Sequence, residues 1–223
     1  MKKIARTTGS LAAIGLAFLL FAHSARATLD WFAAEGQSRG SSRLMLAKSD
    51  KVNIPGRQTI KVKLHDLDLI DQDGNVVKFK SDIIRNRVAV IIPFYTTCTT
   101  AYPILVYVFT RLQVLLGEQL GKDVVLISLT VDPRTDIPIR LKAFAKRQKA
   151  LPGWVFLTGE RNNLGKVLWG TGAILSANLE EHDHIPITMV GSADGSWRRF
   201  HGFPTPEQLL AQIENELAAK KPS

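Results

Sequence analysis

The sequence predicts an α/β fold, a mixed sheet with helices on both faces. Three observations point there. The segment Val88-Ala89-Val90-Ile91-Ile92-Pro93-Phe94 and the run from Val124 to Val131 are continuous apolar stretches rich in β-branched residues, as strands buried on both faces require. Each is followed by a helical pattern. Near the C-terminus two short strands face each other across Ser192-Ala193-Asp194-Gly195, and a capped helix follows. Parallel crossovers that end in an antiparallel pair require a mixed sheet.

Taken in order, the chain begins with an export pattern. Lys2, Lys3 and Arg6 form a positive region, an apolar run follows from Leu11 to Phe21, and Ala25-Arg26-Ala27 supplies a small-residue cleavage site. Residues 1–27 are therefore expected to be a cleaved signal peptide. The apolar run is short of the roughly 20 residues that span a bilayer, so no transmembrane anchor is expected after cleavage, and a periplasmic location is. Removing Lys2, Lys3, Arg6 and Arg26 leaves 25 basic against 20 acidic residues, a net charge of +5 in place of +9. Such a surface suits an acidic partner or anionic lipid. The cations are scattered rather than gathered in a stripe with aromatics, which argues against nucleic acid.

Residues 28–57 are expected to be flexible. Glu35 to Arg43 is rich in Gly, Ser and Arg, and Asn53-Ile54-Pro55-Gly56 punctuates the end. The domain is expected over 58–219, with 220–223 a tail. Val62, Leu64, Leu67 and Leu69 suggest a strand, and Asp71-Gln72-Asp73-Gly74-Asn75 turns the chain into a second strand at Val76, Val77 and Phe79. After the first buried strand, Pro103 opens an amphipathic helix through Val106, Phe109, Leu112, Leu115 and Leu116. A basic helix from Pro138 to Gln148 follows the second. A short strand (154–157), a short helix (161–168) and strands at 187–190 and 197–200 come next. Thr205, Pro206 and Gln208 mark the start of the last helix as a capping box with proline in first position. This is the element order of thioredoxin-like folds.

The chain has one cysteine, so no internal disulfide is possible, and Cys98 acts as a free thiol, a metal ligand or a pair with another molecule's sulfur. It follows a buried strand and precedes a helix, whose N-terminus favours the thiolate. His182 and His184 are two residues apart, which in an extended segment puts both rings on one face. Tyr102, about one turn beyond Cys98, reads as an aromatic filler. Asp132 and Asp136 read as loop and cap residues, and His201 is set aside as a ligand.

Several segments in this order resemble the Sco/SenC family, thioredoxin-fold proteins that help deliver copper to respiratory cytochrome oxidase. Asp71-Gln72-Asp73-Gly74 precedes the first core strand as in that family. Phe94-Tyr95-Thr96-Thr97-Cys98 resembles its strand-end F-x-T-x-C, and Val131-Asp132-Pro133-Arg134-Thr135-Asp136-Ile137-Pro138 resembles its V-D-P-x-x-D-T-P. Trp154-Val155-Phe156-Leu157-Thr158-Gly159 resembles W-x-x-L-T-G, and Asp183-His184 lies where the family keeps a metal-binding histidine. Together these cover roughly Lys61 to Leu217.

The resemblance implies copper as the metal, Cys98 and His184 as ligands with His182 as a supplement, and a protein partner in the cell envelope such as an oxidase subunit or a thiol-redox protein. It also implies a cis Ile185–Pro186 bond facing the cysteine, with its backbone available to an extended partner. Copper-binding members carry Cys-x-x-x-Cys-Pro, whereas this chain reads Cys98-Thr99-Thr100-Ala101-Tyr102-Pro103, with Tyr102 in the place of the second cysteine. Two thiolates and an imidazole suit Cu(I); one thiolate and an imidazole hold it with less affinity. The substitution also removes the pair needed for an internal dithiol/disulfide cycle.

Three functions stay open on the sequence: a copper-related assembly factor that binds rather than turns over, a one-cysteine thiol oxidoreductase or peroxidase, and a non-catalytic docking module. The peroxiredoxin pattern Pro-x-x-x-Thr-x-x-Cys is not met, because Cys98 follows Thr97 directly.

Overall fold

The computed structural model describes residues 57–175, 186–194 and 196–220. The first 56 residues, with the export pattern and most of the segment expected to be flexible, lie outside the described residues, as do His182, His184, Ile185, Gly195 and the last three residues. The elements follow in chain order. β1 (Arg57–Ile60), β2 (Asp68–Asp71) and β3 (Val76–Lys78) precede a π-helical turn (Phe79–Ile84) and β4 (Val88–Phe94). Then come α1 (Tyr102–Leu116), β5 (Val124–Thr130), α2 (Pro138–Arg147), β6 (Trp154–Thr158) and α3 (Arg161–Thr171). β7 (Ile187–Ser192), β8 (Trp197–His201) and α4 (Pro206–Lys220) complete the domain.

All eight strands form one sheet in the order β1-β8-β7-β4-β5-β6-β2-β3. β4, β5 and β6 are parallel, as the two apolar runs with intervening helices require. β7 returns antiparallel against β4 and continues into β8. The mixed sheet and its helices are those of a thioredoxin-like fold.

β4 and β5 are buried at every position, and their side chains alternate between two core faces. Val88, Val90, Ile92 and Phe94 pack with Leu105, Phe109 and Leu112 of α1, Leu141 of α2, and Leu209 and Ile213 of α4. Ala89 and Ile91 pack on the opposite face with Leu164, Val167 and Leu168 of α3 and with Phe79 and Ile84 of the π-helical turn. Pro93 sits inside β4 at no cost in hydrogen bonds. The carbonyl of Phe94 accepts from Val131 on the β5 side, so the nitrogen of Pro93 faces the other way, beyond the last β4–β7 pair at Ile91 and Met189.

Two predicted strands are corrected. Leu69 belongs to β2, but Val62, Leu64 and Leu67 join no strand. β1 is one edge of the sheet and β2 lies near the other, so residues 61–67 must cross between them. The three apolar side chains pack against the second core face without a ladder neighbour. Phe79 leaves β3 to begin the π-helical turn, where it is fully buried. The turn between β2 and β3 is as the sequence implies. Asp71 Oδ1 accepts from the backbone N–H groups of Asp73 (2.8 Å) and Asn75 (2.9 Å), and Gly74 takes a positive φ of 89°. The capping box also forms, with Gln208 N–H on Thr205 Oγ1 at 3.2 Å and Thr205 N–H on Gln208 Oε1 at 2.9 Å.

Candidate functional site

Cys98 lies in the loop that joins the C-terminal end of β4 to the N-terminus of α1, half-buried against the first core face. No side chain caps α1, whose N-cap residue is Ala101, and an uncapped helix start leaves N–H groups for another acceptor. The Cys98 sulfur lies beside that start, and the backbone N–H of Tyr102 is among the groups that act on it. Burial, the largest single influence, pushes the thiol up. The backbone N–H groups of Thr100 and Tyr102 and the hydroxyls of Thr100 and Tyr95 push it down. Together the donors prevail and hold the thiol below its ordinary value. Thr100 Oγ1 is 3.6 Å from the sulfur.

Two tyrosines frame the sulfur in different roles. Tyr95 reaches it with its hydroxyl, and that hydrogen bond is the main reason its own phenol is pushed up, followed by burial and the thiolate charge. Tyr102 is buried at 2% exposure and meets the Tyr95 ring edge-on, with centroids 5.4 Å apart. Burial above all, then the charges at Cys98 and Tyr95, push the Tyr102 phenol well above the ordinary tyrosine range. Tyr102 is a space-filling ring, as the sequence implies, and its burial disfavours the phenolate. Its contribution to Cys98 comes from its backbone N–H.

The loop is anchored from below by a residue whose role differs from the one read in the sequence. Asp136 is fully buried and caps no helix; the N-cap of α2 is Ile137, without a side-chain bond. Its carboxylate instead accepts from the Thr96 N–H at 3.1 Å, from the Thr96 hydroxyl, and from Thr130 Oγ1 at 2.6 Å. It thus ties the cysteine loop after β4 to the end of β5. Asp132 is a loop residue as expected, with Oδ1 accepting from the Thr135 N–H at 3.3 Å.

Of the ligands expected from the sequence, the structure describes only Cys98; His182 and His184 lie outside the described residues. Among the described residues, no group of three or more His, Cys, Asp and Glu side chains is arranged to hold a metal. Among the described residues, Cys98 is the one soft donor of the set expected for Cu(I). The Ile185–Pro186 bond involves a residue outside the described ones. The carbonyl of Pro186, expected to be available to a partner, already accepts from the Gly202 N–H at 2.8 Å because β7 and β8 pair up to their ends. His201 ends β8, where burial and then the charge of Arg199 push its imidazole down. Sequence reasoning missed Tyr95 and Thr100 as site residues and gave Asp136 a different role. Their signal was position alone: an OH-bearing side chain on each side of Cys98, and an acid inside a recognised segment.

Among the described residues no helix is long and apolar enough to cross a membrane. The SCO1/SenC family model matches residues 58–218. A SCO2-like protein of Rickettsia conorii is 25% identical over 160 residues, which is 68% of this chain and 75% of that protein. Among solved structures, BsSco, a member of the Sco family of cytochrome c oxidase assembly proteins, superposes with a TM-score of 0.60 at 22% identity, covering 73% of this chain and 98% of that one. ScoI of Bradyrhizobium japonicum, solved with copper bound, gives 0.56 at 21% identity over 70% of this chain and 99% of that one.

Proposed function

This chain belongs to the SCO1/SenC family, and on that premise we propose that it is an exported assembly factor for copper-dependent respiratory oxidase, acting in the periplasm through a site with one thiolate. The observation that carries this reading is the half-exposed Cys98 thiol at the uncapped start of α1, held below its ordinary value by backbone and hydroxyl donors. BsSco belongs to a family of oxidase assembly proteins and ScoI binds copper; the reading extends that role to this chain.

In this reading Tyr102 has replaced the second cysteine of the family's motif, so copper is cargo held by Cys98 and His184, with His182 as a lesser contributor and a donor from a protein partner completing the set. Two soft thiolates would fix Cu(I) on one chain; a single thiolate favours a site shared with the acceptor. The role is therefore binding and transfer rather than turnover. The same observation favours a second reading: the half-exposed Cys98, once deprotonated, can attack a partner's disulfide, forming a mixed disulfide as the partner's other sulfur leaves as a thiolate.

The test is oxidase activity in membranes of a strain lacking the gene. Complementation by the wild-type chain and failure by Cys98→Ser and His184→Ala variants support the metal reading. Failure by Cys98→Ser alone supports thiol chemistry. Full complementation by the double variant reduces the domain to a docking module.

A further inference from the structure

On the sheet face opposite the one that Cys98 packs against lies a cavity of about 400 Å³. Its walls are the crossing segment 61–65, the C-terminal end of α3 and Arg199 of β8. Lys61, Lys63, His65 and Arg199 supply its polar groups, Trp169 and Leu175 stand half-exposed at its rim, and no Asp or Glu lines it among the described residues.

Two glycines bring these groups together. A Cβ on Gly170 would fall 2.3 Å from the Lys63 carbonyl oxygen and 2.7 Å from Cδ2 of the His65 ring. The Gly170 carbonyl is bonded by the Lys63 N–H at 2.7 Å, which pins the crossing segment to α3. A Cβ on Gly172, at a φ of +74°, would fall 2.5 Å from a terminal nitrogen of Arg199. The guanidinium occupies the space that side chain would need.

Arg199 is partly buried, its Nε is shielded from solvent without a hydrogen-bond partner, and burial pushes its pKa down. A desolvated cation is ordinarily paired. Here the neighbouring ionisable groups in the wall are basic, so the charge lacks a counter-ion from the cavity's own described residues.

We propose that this cavity is a binding site for a phosphate group carried on a molecule with an apolar portion. Arg199, Lys61, Lys63 and His65 receive the phosphate, and Trp169 and Leu175 cover the apolar portion. A guanidinium flanked by ammonium groups suits phosphate oxygens, and the half-exposed indole gives an aromatic or acyl group a surface to lie on.

The test is calorimetric titration of the full chain with phenyl phosphate, inorganic phosphate and phenol, and co-sedimentation with phosphatidylcholine vesicles with and without phosphatidylglycerol. Saturable binding of phenyl phosphate, tighter than that of inorganic phosphate or phenol, is expected. Arg199→Gln should weaken it by at least about tenfold, the scale of one charge-assisted pair. Lys61→Gln with Lys63→Gln changes only exposed side chains and should weaken it in the same direction, which keeps the test valid if Arg199→Gln does not fold. Lys142→Gln, which breaks an exposed ion pair with Asp73, is the control and should change nothing. Sedimentation only with phosphatidylglycerol, lost in the same variants, would assign the phosphate to a lipid headgroup; titration without sedimentation would assign it to a soluble ester. Absence of saturable binding in both assays, or equal binding by the Lys61/Lys63 variant, overturns the proposal.

Discussion

Replacing Asp136 with alanine removes one carboxylate that serves two loops at once. Three donors lose their acceptor: the Thr96 N–H, the Thr96 hydroxyl and the Thr130 hydroxyl. A hydroxyl can turn about its C–O bond, which eases the loss, but the backbone N–H of a half-buried loop residue has no such freedom. A hydrogen bond to a charged group contributes about 1.5–3 kcal/mol, and a buried donor left unsatisfied costs a similar amount. A loss of about 3 kcal/mol is therefore expected for Asp136→Ala. Asp136→Asn keeps an oxygen for Thr96 and turns an amide toward a hydroxyl that can accept, so about 1 kcal/mol is expected for it. Urea unfolding gives both values from shifts in midpoint at unchanged slope. Because Thr96 precedes Cys98 by two residues, the alanine variant should also raise the thiol pKa as the loop leaves the helix N-terminus. Alanine and asparagine variants within about 0.5 kcal/mol of each other would refute the anchoring role.

Further outcomes follow from the same geometry. Alkylation of Cys98 by iodoacetamide should show a pH midpoint below that of a free cysteine, and Tyr95→Phe should move it upward by removing one donor; an unmoved midpoint would exclude the Tyr95 bond. Glu216 is pushed up chiefly by burial, against the charge of Arg198 and the bond from Gln212. Its folded form therefore holds the proton more tightly than the unfolded chain, and stability should fall as pH rises from the ordinary carboxylate range through the raised value. Glu216→Gln should remove that fall, seen as equal urea midpoints at the two ends of the window. Tyr102→Cys should strengthen Cu(I) binding by supplying a second thiolate, while costing about 3 kcal/mol for the lost aromatic packing. Stability lost without any gain in affinity would remove Tyr102 from the ligand position.

Much of the frame was legible because burial on both faces leaves an unbroken apolar run. β4 and β5 were readable to within a residue for that reason, as were the capping box at Thr205 and the Asp71 turn, where local hydrogen bonds decide the conformation. The misreadings share one cause, long-range contact. Val62, Leu64 and Leu67 suggest a strand because closely spaced apolar residues of the crossing segment pack on the core, yet they join no ladder. Asp136 read as a cap because it stands just ahead of a proline-led helix, while its partners are Thr96, forty residues earlier, and Thr130. Periodicity carries no record of such a pairing. The position of Cys98 at the start of a helix was readable; the Tyr95 hydroxyl aimed at its sulfur was not, because the direction of a loop side chain depends on the packing of both neighbouring elements.

The central claim is a copper site built on one thiolate, and an anaerobic Cu(I) titration of the purified protein against a competing chelator tests it most directly. The account predicts 1:1 binding that Cys98→Ser abolishes and His184→Ala weakens. Binding no stronger in the wild type than in the two variants would contradict a copper site held by this chain alone and would end its reading as a copper carrier on its own.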